Sequence, residues 1–447
     1  MVLRTCTALV LPFALTFSFP ALHAQCWQQY AAGFNHNALL TPTGAIATWG
    51  YNNEGQLGDG TYTNKHVVSI SVPGEDWTAV STKFDVVVAL RSDGTIWNWG
   101  RNVYGQLATG DFINRNTPVQ IGNASDWRAV FAGNNQSYAL RADGTLWAWG
   151  DNTEGELGNG TLDHVYTPAQ IGTDDDWAHI EPGGHHVLAL KTDGTLWGWG
   201  MGGFGALGNG SADTLTLPQQ VAEGTWISIG SGLTHSAAVR SDGTLWMGGI
   251  PGAIFPLDPV PYWTQVGADN DWVSVAAGGL SCLGIKSNGT LWVWGQTLYT
   301  TYTEPVQVGT DTDWASASVG LLHHLAAKTD GSLWAWGSNN RGQLGDGTTT
   351  SRTVPGPVPC DLIPTAIEQV ESTPLRVRMD PSGQWLWVDG DMAQGVLPVR
   401  VLDQAGRLVV EQRLNDGRLA IGGIGAGAYV LQVPTTNGRQ AVRFVKW

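Results

Sequence analysis

The sequence repeats one pattern seven times along its 447 residues. Each unit opens with a tryptophan, continues through a short apolar segment, and reaches the phrase Asp-Gly-Thr-Leu-Trp-x-Trp-Gly or a variant of it. Six copies of this phrase are plain, and a weaker first copy covers residues 43–50. The opening tryptophans are Trp27, Trp77, Trp127, Trp177, Trp226, Trp272 and Trp314, spaced 50 to 42 residues apart. A period of this length, carried by strands, is typical of a repeat array.

Within one unit the pattern predicts four short antiparallel strands. In the third unit, apolar segments at 127–131 and 137–141 are followed by Ala-Asp-Gly-Thr, which is typical of a tight hairpin. A third strand at 146–149 and a proline-containing edge strand at 167–171 complete the unit. Four such strands form one propeller blade, and stacking on neighbouring blades buries both of its faces. We therefore predict an all-β fold with a seven-bladed β-propeller over residues 25–361.

Composition agrees with this architecture and limits the partners. Of the 23 tryptophans, 19 fall on three recurring positions of the unit. Residues 25–361 hold 30 acidic and 13 basic side chains, a net charge of −17. A strongly acidic array disfavours contact with phosphate backbones, so we expect no nucleic-acid partner.

The N-terminus indicates export, and an oxidising compartment would permit a disulfide. Residues 1–24 read as a signal peptide, with Arg4 followed by an apolar run that is too short to span a membrane. No later segment qualifies as a span, so we expect a secreted or outer-surface protein. Cys26 and Cys360 flank the repeats and would meet where a ring closes, as a disulfide or as two free thiols. Cys282 lies in an apolar strand and is expected to be an inert core thiol.

The segment after the third strand of several units identifies a family. Residues 49–60 spell Trp-Gly-Tyr-Asn-Asn-Glu-Gly-Gln-Leu-Gly-Asp-Gly, and residues 336–347 nearly repeat it. Similar phrases occur at 102–110, at 152–160 and, less closely, at 202–210. This phrase resembles the repeat of the regulator of chromosome condensation family. The resemblance covers about three quarters of the chain and implies a seven-bladed propeller used mainly as a binding platform. The family's nuclear namesake acts on a small GTPase and on chromatin, but the signal peptide and the acidic array argue against nucleotide exchange here.

The C-terminal segment has a different composition. Prolines mark a linker at 362–373, and residues 374–447 alternate apolar strands with arginines, which predicts a small β-sandwich-like domain. An Asp-x-x-Gly-Arg turn at 403–407, a Gly-x-Tyr-Val-Leu strand at 427–431 and a basic last strand resemble the C-terminal sorting domain of type IX secretion cargo. The resemblance implies that the secretion machinery reads this segment as an address. The usual Tyr-Pro-Asn-Pro opening is absent, and an ordinary appended β-sandwich is the alternative.

Residues that carry chemistry are scarce. His36, His186, His235 and His323 share one position of the unit, but equivalent positions spread around a ring and rarely converge on one ion. We expect these histidines to make structural hydrogen bonds, and the Asp-Gly pairs to form turns rather than to act as acids. We therefore expect no catalytic residues, no metal and no cofactor.

Two units depart from the phrase and predict a binding surface. Unit five has a proline-stiffened apolar stretch at 250–263, and unit six has a tyrosine-bearing stretch at 296–302. The predicted interaction patch comprises Phe255, Tyr262, Trp263, Tyr299 and Tyr302. Exposed aromatic side chains often mark binding surfaces. The alternative is that these loops fold down and pack against the blades.

The sequence thus predicts a non-catalytic binding protein that presents a propeller to another protein at the cell surface. The alternative is a secreted enzyme that acts on polysaccharide or protein in the central pocket of the propeller. Such an enzyme needs convergent titratable groups in one water-excluded depression. Glycan binding by exposed aromatic side chains is a third hypothesis.

Overall fold

The chain divides into two compact units, Met1–Ile363 and Pro364–Trp447. The computed structural model describes residues 27–74, 76–249 and 262–359 of the first unit. In the second unit it describes residues 376–380, 384–389, 399–402, 408–412, 414, 418–435 and 438–446. The predicted signal peptide, the linker, Phe255, Cys26 and Cys360 lie outside the described residues. Every regular element within them is a β-strand.

The first unit holds 28 of the strands in chain order. Blade 1 has β1 (Gln29–Ala32), β2 (His36–Leu40), β3 (Ile46–Gly50) and β4 (Lys65–Val72). Blade 2 has β5 (Trp77–Lys83), β6 (Val86–Arg91), β7 (Ile96–Gly100) and β8 (Arg115–Gln120). Blade 3 has β9 (Trp127–Ala132), β10 (Gln136–Arg141), β11 (Leu146–Gly150) and β12 (Val165–Gln170). Blade 4 has β13 (Trp177–Pro182), β14 (His186–Lys191), β15 (Leu196–Gly200) and β16 (Leu215–Ala222).

The remaining three blades follow the same order. Blade 5 has β17 (Trp226–Ser231), β18 (His235–Arg240), β19 (Leu245–Gly249) and β20 (Thr264–Gln265). Blade 6 has β21 (Trp272–Ala277), β22 (Ser281–Lys286), β23 (Leu291–Gln296) and β24 (Thr301–Gln307). Blade 7 has β25 (Trp314–Val319), β26 (His323–Lys328), β27 (Leu333–Gly337) and β28 (Arg352–Pro357).

Each blade is a four-stranded antiparallel sheet whose strands pair in sequence order, and the fold is the predicted seven-bladed propeller. Blade 1 and blade 7 each take all four of their described strands from one end of the array, so no strand is exchanged between the chain ends. The blade boundaries therefore coincide with the sequence units, which the sequence had left open.

The apolar core lies between blades rather than within them. Seven buried clusters occur among the described residues of this unit, one at each junction between neighbouring blades. The cluster between blades 2 and 3, for example, joins Val88 and Leu107 to Trp127 and Trp149. The second and third strands of each blade are buried along almost their whole length, because both of their faces pack on neighbours.

The recurring Asp-Gly-Thr-Leu-Trp phrase closes its own hairpin. In blade 2, the Asp93 carboxylate accepts hydrogen bonds from the Thr95 backbone N–H (2.9 Å) and hydroxyl (2.7 Å). The Thr95 oxygen in turn accepts the Trp97 indole N–H at 3.0 Å. The same chain of bonds recurs in blades 3 to 7, with Asn288 and Ser332 as variants. The prediction that these acids form turns is confirmed.

A cation is the last residue of the second strand in blades 2 to 7, and it lies over two indoles. In blade 4, the Lys191 ammonium is 5.0 Å from the centre of the Trp177 ring and 4.3 Å from that of Trp197. Asp174 and Asp176 flank the ammonium at 2.6 and 3.0 Å. Burial alone would lower the pKa of Lys191, but these two carboxylates raise it above its usual value. Equivalent cations are Arg91, Arg141, Arg240, Lys286 and Lys328.

The recurring histidines are buried and connect neighbouring blades. His36 bonds the Thr82 hydroxyl (2.6 Å), His186 bonds the Ser236 hydroxyl (2.8 Å), and His323 bonds the Asn37 side chain (2.8 Å). Burial lowers the pKa of each of these three rings to about 3, so they are neutral in the folded protein. The expected structural hydrogen bonds are confirmed for these three histidines. His235 is also buried, and its pKa falls to about 4 for the same reason.

Blade 7 closes on blade 1 through a seam of polar and apolar contacts. The Trp49 indole and the Asn37 amide both donate to the Gln343 carbonyl, at 2.9 and 2.8 Å. The Tyr30 hydroxyl bonds the Ser316 hydroxyl at 2.7 Å. Leu39 and Ala47 of blade 1 share one buried cluster with residues of blade 7. The seam thus has the same kind of packing as the other six junctions.

The C-terminal unit forms two small sheets around one core. One sheet contains β29 (Arg376–Met379), β30 (Trp385–Asp389) and β33 (Arg418–Ala420). The other contains β31 (Val399–Leu402), β32 (Leu408–Gln412), β34 (Gly427–Thr435) and β35 (Gly438–Lys446). Leu386 and Leu419 from the first sheet pack with Val401 and Leu431 from the second, as in a β-sandwich. The Lys446 ammonium is buried and donates to the Ile421 and Ile424 carbonyls at 2.7 and 2.8 Å.

Candidate binding surfaces

The loops between the third and fourth strands are called the 3–4 loops here, and in the six blades where the structure describes them they lie at the same end of the blade. This end is the loop face of the propeller. In blade 1, the buried Asn52 amide donates to the Thr61 and Thr63 carbonyls, and its oxygen accepts the Leu57 N–H at 2.9 Å. Asn102, Asn152 and Asn339 do the same in blades 2, 3 and 7. One buried asparagine therefore fixes the shape of the 3–4 loop in each of these four blades.

Two tyrosines of the predicted patch are exposed on this face. Tyr262, after the 3–4 loop of blade 5, is 64% exposed, and Tyr299, in that of blade 6, is 75% exposed. Tyr302 is half-buried and packs in the clusters on either side of blade 6. The structure thus presents Tyr262 and Tyr299 to solvent, while Tyr302 contributes to the packing between blades.

Trp263 replaces a tryptophan that blade 5 lacks. In blades 2 and 4, Trp99 and Trp199 on the third strand lie directly under a glycine of the preceding 3–4 loop, Gly58 and Gly158. The third strand of blade 5 has Gly248 at this position, and the ring of Trp263, from the chain just before β20, lies under Gly208 instead. Its ring centre is 5.7 Å from that of Trp226, close to the 5.9 Å between Trp177 and Trp199. Trp263 is therefore a packing residue.

Three adjacent blades expose further apolar side chains that the sequence reasoning missed. Tyr62, Phe112 and Leu162 are each more than half exposed, at 51%, 56% and 54%. Each lies two residues after the glycine that ends the repeat phrase, so aligning the units would have found them. The Phe112 ring meets the exposed Tyr166 edge-on at 5.2 Å. Apolar groups thus recur along the loop face of blades 1 to 3.

The innermost strands of the seven blades surround a central channel. A cavity of about 450 Å³ lies along these strands, and residues of all seven blades line it. At the loop-face end, the rings of Phe34 and Phe84 stack with their centres 4.7 Å apart. The Phe84 backbone has a φ of +47°, in the left-handed region that non-glycine residues rarely adopt.

Three charged or titratable side chains project into this cavity: Lys83, His179 and Glu181. The Lys83 ammonium donates to the Ser231 carbonyl at 2.6 Å and to Glu181 at 3.3 Å. The second oxygen of Glu181 is 3.4 Å from the His179 ring. Burial alone would raise the pKa of the Glu181 carboxyl, but the Lys83 ammonium and His179 hold it below its usual value. Glu181 is therefore ionised at neutral pH.

Other titratable groups are placed for structure rather than for a metal or a nucleophile. Among the described residues, no three His, Cys, Asp or Glu side chains are grouped as metal ligands. Cys282 is fully buried, and burial raises the pKa of its thiol. Burial also raises the pKa of Asp85 to about 6, although the carboxylate accepts a hydrogen bond from Gln56 at 2.8 Å. In the part of the chain that the structure describes, no helix has the length and apolar character that crossing a membrane requires.

Comparison with known families agrees with the repeat and the ring. The description "RCC1-like domain" matches residues 11–253, and "Regulator of chromosome condensation (RCC1) repeat" matches residues 330–378 and 314–343. The chain belongs to the RCC1-like domain family. The buried asparagine and the Gly-Gln-Leu-Gly turn of its 3–4 loops are thus features of an RCC1-like propeller. No curated protein matches the chain significantly.

Solved structures show the same fold at low sequence identity. Yeast RCC1 (Prp20), in a crystal structure where it is bound to Kap60, has a TM-score of 0.62 and 19% identity. That match covers 80% of this chain and 91% of the other. Prp20p from Saccharomyces cerevisiae has a TM-score of 0.61 and 20% identity, covering 74% of this chain and 87% of the other. These similarities establish the RCC1-type propeller fold alone.

Proposed function

We propose that this RCC1-like chain is a secreted or cell-surface protein whose loop face binds another protein. The observation that carries the proposal is a pair of exposed tyrosines in adjacent blades: Tyr262, whose ring lies against Gly210 of the blade 4 loop, and Tyr299, in the 3–4 loop of blade 6. Tyrosine combines a large apolar ring with a polar tip, and such residues dominate the energetics of protein interfaces.

The relatives and the channel support binding rather than catalysis. One relative was solved in complex with Kap60, and the other was described with its binding properties to Gsp1p and histones. The alternative of an enzyme in the central pocket requires, for glycoside hydrolysis, two carboxyl groups on either side of the scissile bond. Among the described residues that line the cavity, Glu181 is the only carboxylate, and Lys83 already pairs with it.

The export part of the proposal rests on the two ends of the sequence. The charged and apolar pattern of residues 1–24 is that of a signal peptide. The C-terminal unit folds separately as a small β-sandwich with a basic last strand. We assign this unit, residues 374–447, the role of an address that type IX secretion machinery reads. The partner at the surface is then a protein, with a surface glycan as the second candidate because aromatic side chains also stack on sugars.

The test is capture of surface proteins by the full chain and its variants. The purified chain is immobilised and exposed to solubilised surface material, and bound protein and glycan are quantified separately. Tyr262→Ala combined with Tyr299→Ala is expected to lower protein capture about tenfold or more, since interface tyrosines often contribute above 1 kcal/mol each.

The matched control is Val273→Ala combined with Val306→Ala. Both valines are exposed in blade 6. Val273 is the second residue of β21, and Val306 pairs with Val293 inside the sheet, so neither lies in a 3–4 loop. The control should capture as much protein as the wild type. Equal capture by the tyrosine variant and the wild type would contradict the assignment to this face, and tyrosine-dependent capture of glycan without protein would favour the second candidate.

A further inference from the structure

The charged groups in the central channel depart from the repeat. At the position of Lys83, the other six blades have glycine: Gly33, Gly133, Gly183, Gly232, Gly278 and Gly320. At the position of Glu181, they have Ala31, Ser81, Phe131, Gly230, Ala276 and Ser318. Each position is uncharged in six blades, and five blades have no charge at either position, so the architecture does not require Lys83 or Glu181.

Lysine in place of glycine at position 83 is accompanied by a second difference in the same blade, at the position of the recurring histidine. In four blades, the side chain of any residue replacing this glycine would meet the ring of the recurring histidine. Blade 2 has Val86 at the histidine position, which leaves room for the lysine stem. The next residue, Phe84, adopts a positive φ, a strain of about 1–3 kcal/mol. Local strain of this kind is often found at functional sites, where surrounding structure maintains it.

The cavity is polar but has no net charge from its paired groups. The Lys83 and Glu181 side chains compensate each other across the channel, and both stay partly exposed, at 14% and 27%. A ligand with a net charge would have to separate this pair, which costs free energy in a partly buried site. A neutral ligand can instead bond the remaining donor and acceptor sites of the pair without breaking it.

The cavity is also lined by two serine hydroxyls and by one aromatic ring. The Ser81 oxygen accepts the Ala132 N–H at 3.0 Å, and the Ser318 oxygen accepts the Ala32 N–H at 2.9 Å. Each hydroxyl proton therefore remains to be donated into the cavity. The Phe131 ring lies on another part of the wall, edge-on to His179 at 5.3 Å. A cavity of about 450 Å³ falls within the usual range of small-ligand pockets.

We propose that the central cavity is a binding site for a small, neutral, hydroxyl-rich ligand, a free sugar or the end of a glycan. Lys83 and Glu181 bond its hydroxyl groups as donor and acceptor, and Phe131 packs against its apolar face. This site is separate from the loop face, because it lies among the innermost strands, and it requires no catalytic step.

The experiment measures saccharide binding to the full chain by saturation-transfer NMR and calorimetry. The probes are glucose, galactose, N-acetylglucosamine and maltose as free sugars, and the same sugars coupled through the reducing end as glycan termini. Glutamate and spermidine serve as charged probes. The wild type is expected to bind at least one of the neutral probes with a millimolar or lower Kd. Glu181→Gln and Lys83→Gly are each expected to weaken this binding about tenfold or more.

Asp76→Asn is the matched control, because it also removes a paired carboxylate, at 45% exposure and outside the cavity. It should leave saccharide binding unchanged. Lys83→Gly restores the residue that six other blades have, so it keeps the test valid even where Glu181→Gln fails to fold. The proposal is overturned if no neutral probe binds the wild type, if both channel variants bind as well as the wild type, or if only the charged probes bind. Free and coupled sugars distinguish the two sources of the ligand.

Discussion

Replacing three buried histidines by glutamine should make the propeller more resistant to acid. Burial lowers the pKa of His36, His186 and His323 to about 3, against 6.5 for an unperturbed ring. The unfolded chain therefore takes up protons below pH 6.5, whereas the folded protein does not. Stability that is fully present above pH 6.5 is lost progressively as the pH falls towards the folded pKa. Glutamine has no such proton uptake, so the variant keeps this part of its stability.

The size of the effect follows from these pKa values. At pH 5 each histidine lowers the free energy of unfolding by about 2 kcal/mol, and at pH 7.5 by almost nothing. Three histidines together amount to about 6 kcal/mol, a large share of the usual 5–15 kcal/mol of a folded domain. Asp85, whose pKa is raised to about 6, acts in the opposite direction, but it does so equally in both proteins. Glutamine fits the position, because blade 3 has the buried Gln136 there.

The assay is equilibrium urea unfolding, followed by tryptophan fluorescence, at pH 7.5 and pH 5. At pH 7.5 the variant should be slightly less stable, since each exchanged hydrogen bond contributes about 1 kcal/mol. Between pH 7.5 and pH 5 the wild type should lose about 6 kcal/mol more than the variant. If both proteins lose the same free energy over this interval, the buried histidines are not the source of acid sensitivity, and the reasoning from their burial is refuted.

Three more predictions concern backbone strain, the packing of Trp263 and the proposed export role of the C-terminal unit. Ala108 has a φ of +52° at a position where blades 1, 3, 4 and 7 have glycine. In urea titrations, Ala108→Gly should therefore raise the free energy of unfolding by about 1 kcal/mol, and Gly58→Ala should lower it. The opposite sign for either variant would contradict the argument that Ala108 is strained. Trp263→Ala should cost about 3 kcal/mol in the same assay while Tyr299→Ala stays near neutral, and equal costs would contradict the packing role of Trp263. Deleting residues 374–447 should leave the propeller folded by circular dichroism but retained inside the producing cell, and normal export would refute the address.

Much of the fold could be predicted from sequence because the relevant interactions are local or periodic. The hairpin phrase contains all the groups that form its bonds, from Asp93 through Thr95 to Trp97. The number of opening tryptophans gave the number of blades, because each blade presents the same apolar faces to its neighbours. The buried asparagine of the 3–4 loops in blades 1, 2, 3 and 7 also belongs to the phrase that resembles the family repeat.

The rest depends on contacts between units, which a single unit does not encode. From sequence, Trp263 was predicted to belong to the interaction patch. Its packing role follows from two features of the fold: its contact with Gly208, and Gly248 at the position where other blades have tryptophan. The pairing of Lys83 with Glu181 joins blades 2 and 4 across the channel, 98 positions apart in sequence. A comparison of the units would have revealed Lys83 as the one lysine among six glycines, but not the acid that it meets. The predicted disulfide between Cys26 and Cys360 remains a prediction.

No described strand is exchanged between blade 1 and blade 7, so the seam where the ring closes is built like any other junction between blades. Blade 7 meets blade 1 through side-chain contacts such as Trp49 with Gln343, and Trp99 bonds Gln56 in the same way one blade further on. Circular permutants that start at another opening tryptophan should therefore build the same ring. During synthesis, however, the face of blade 1 that packs against blade 7 stays uncovered until blade 7 has emerged from the ribosome.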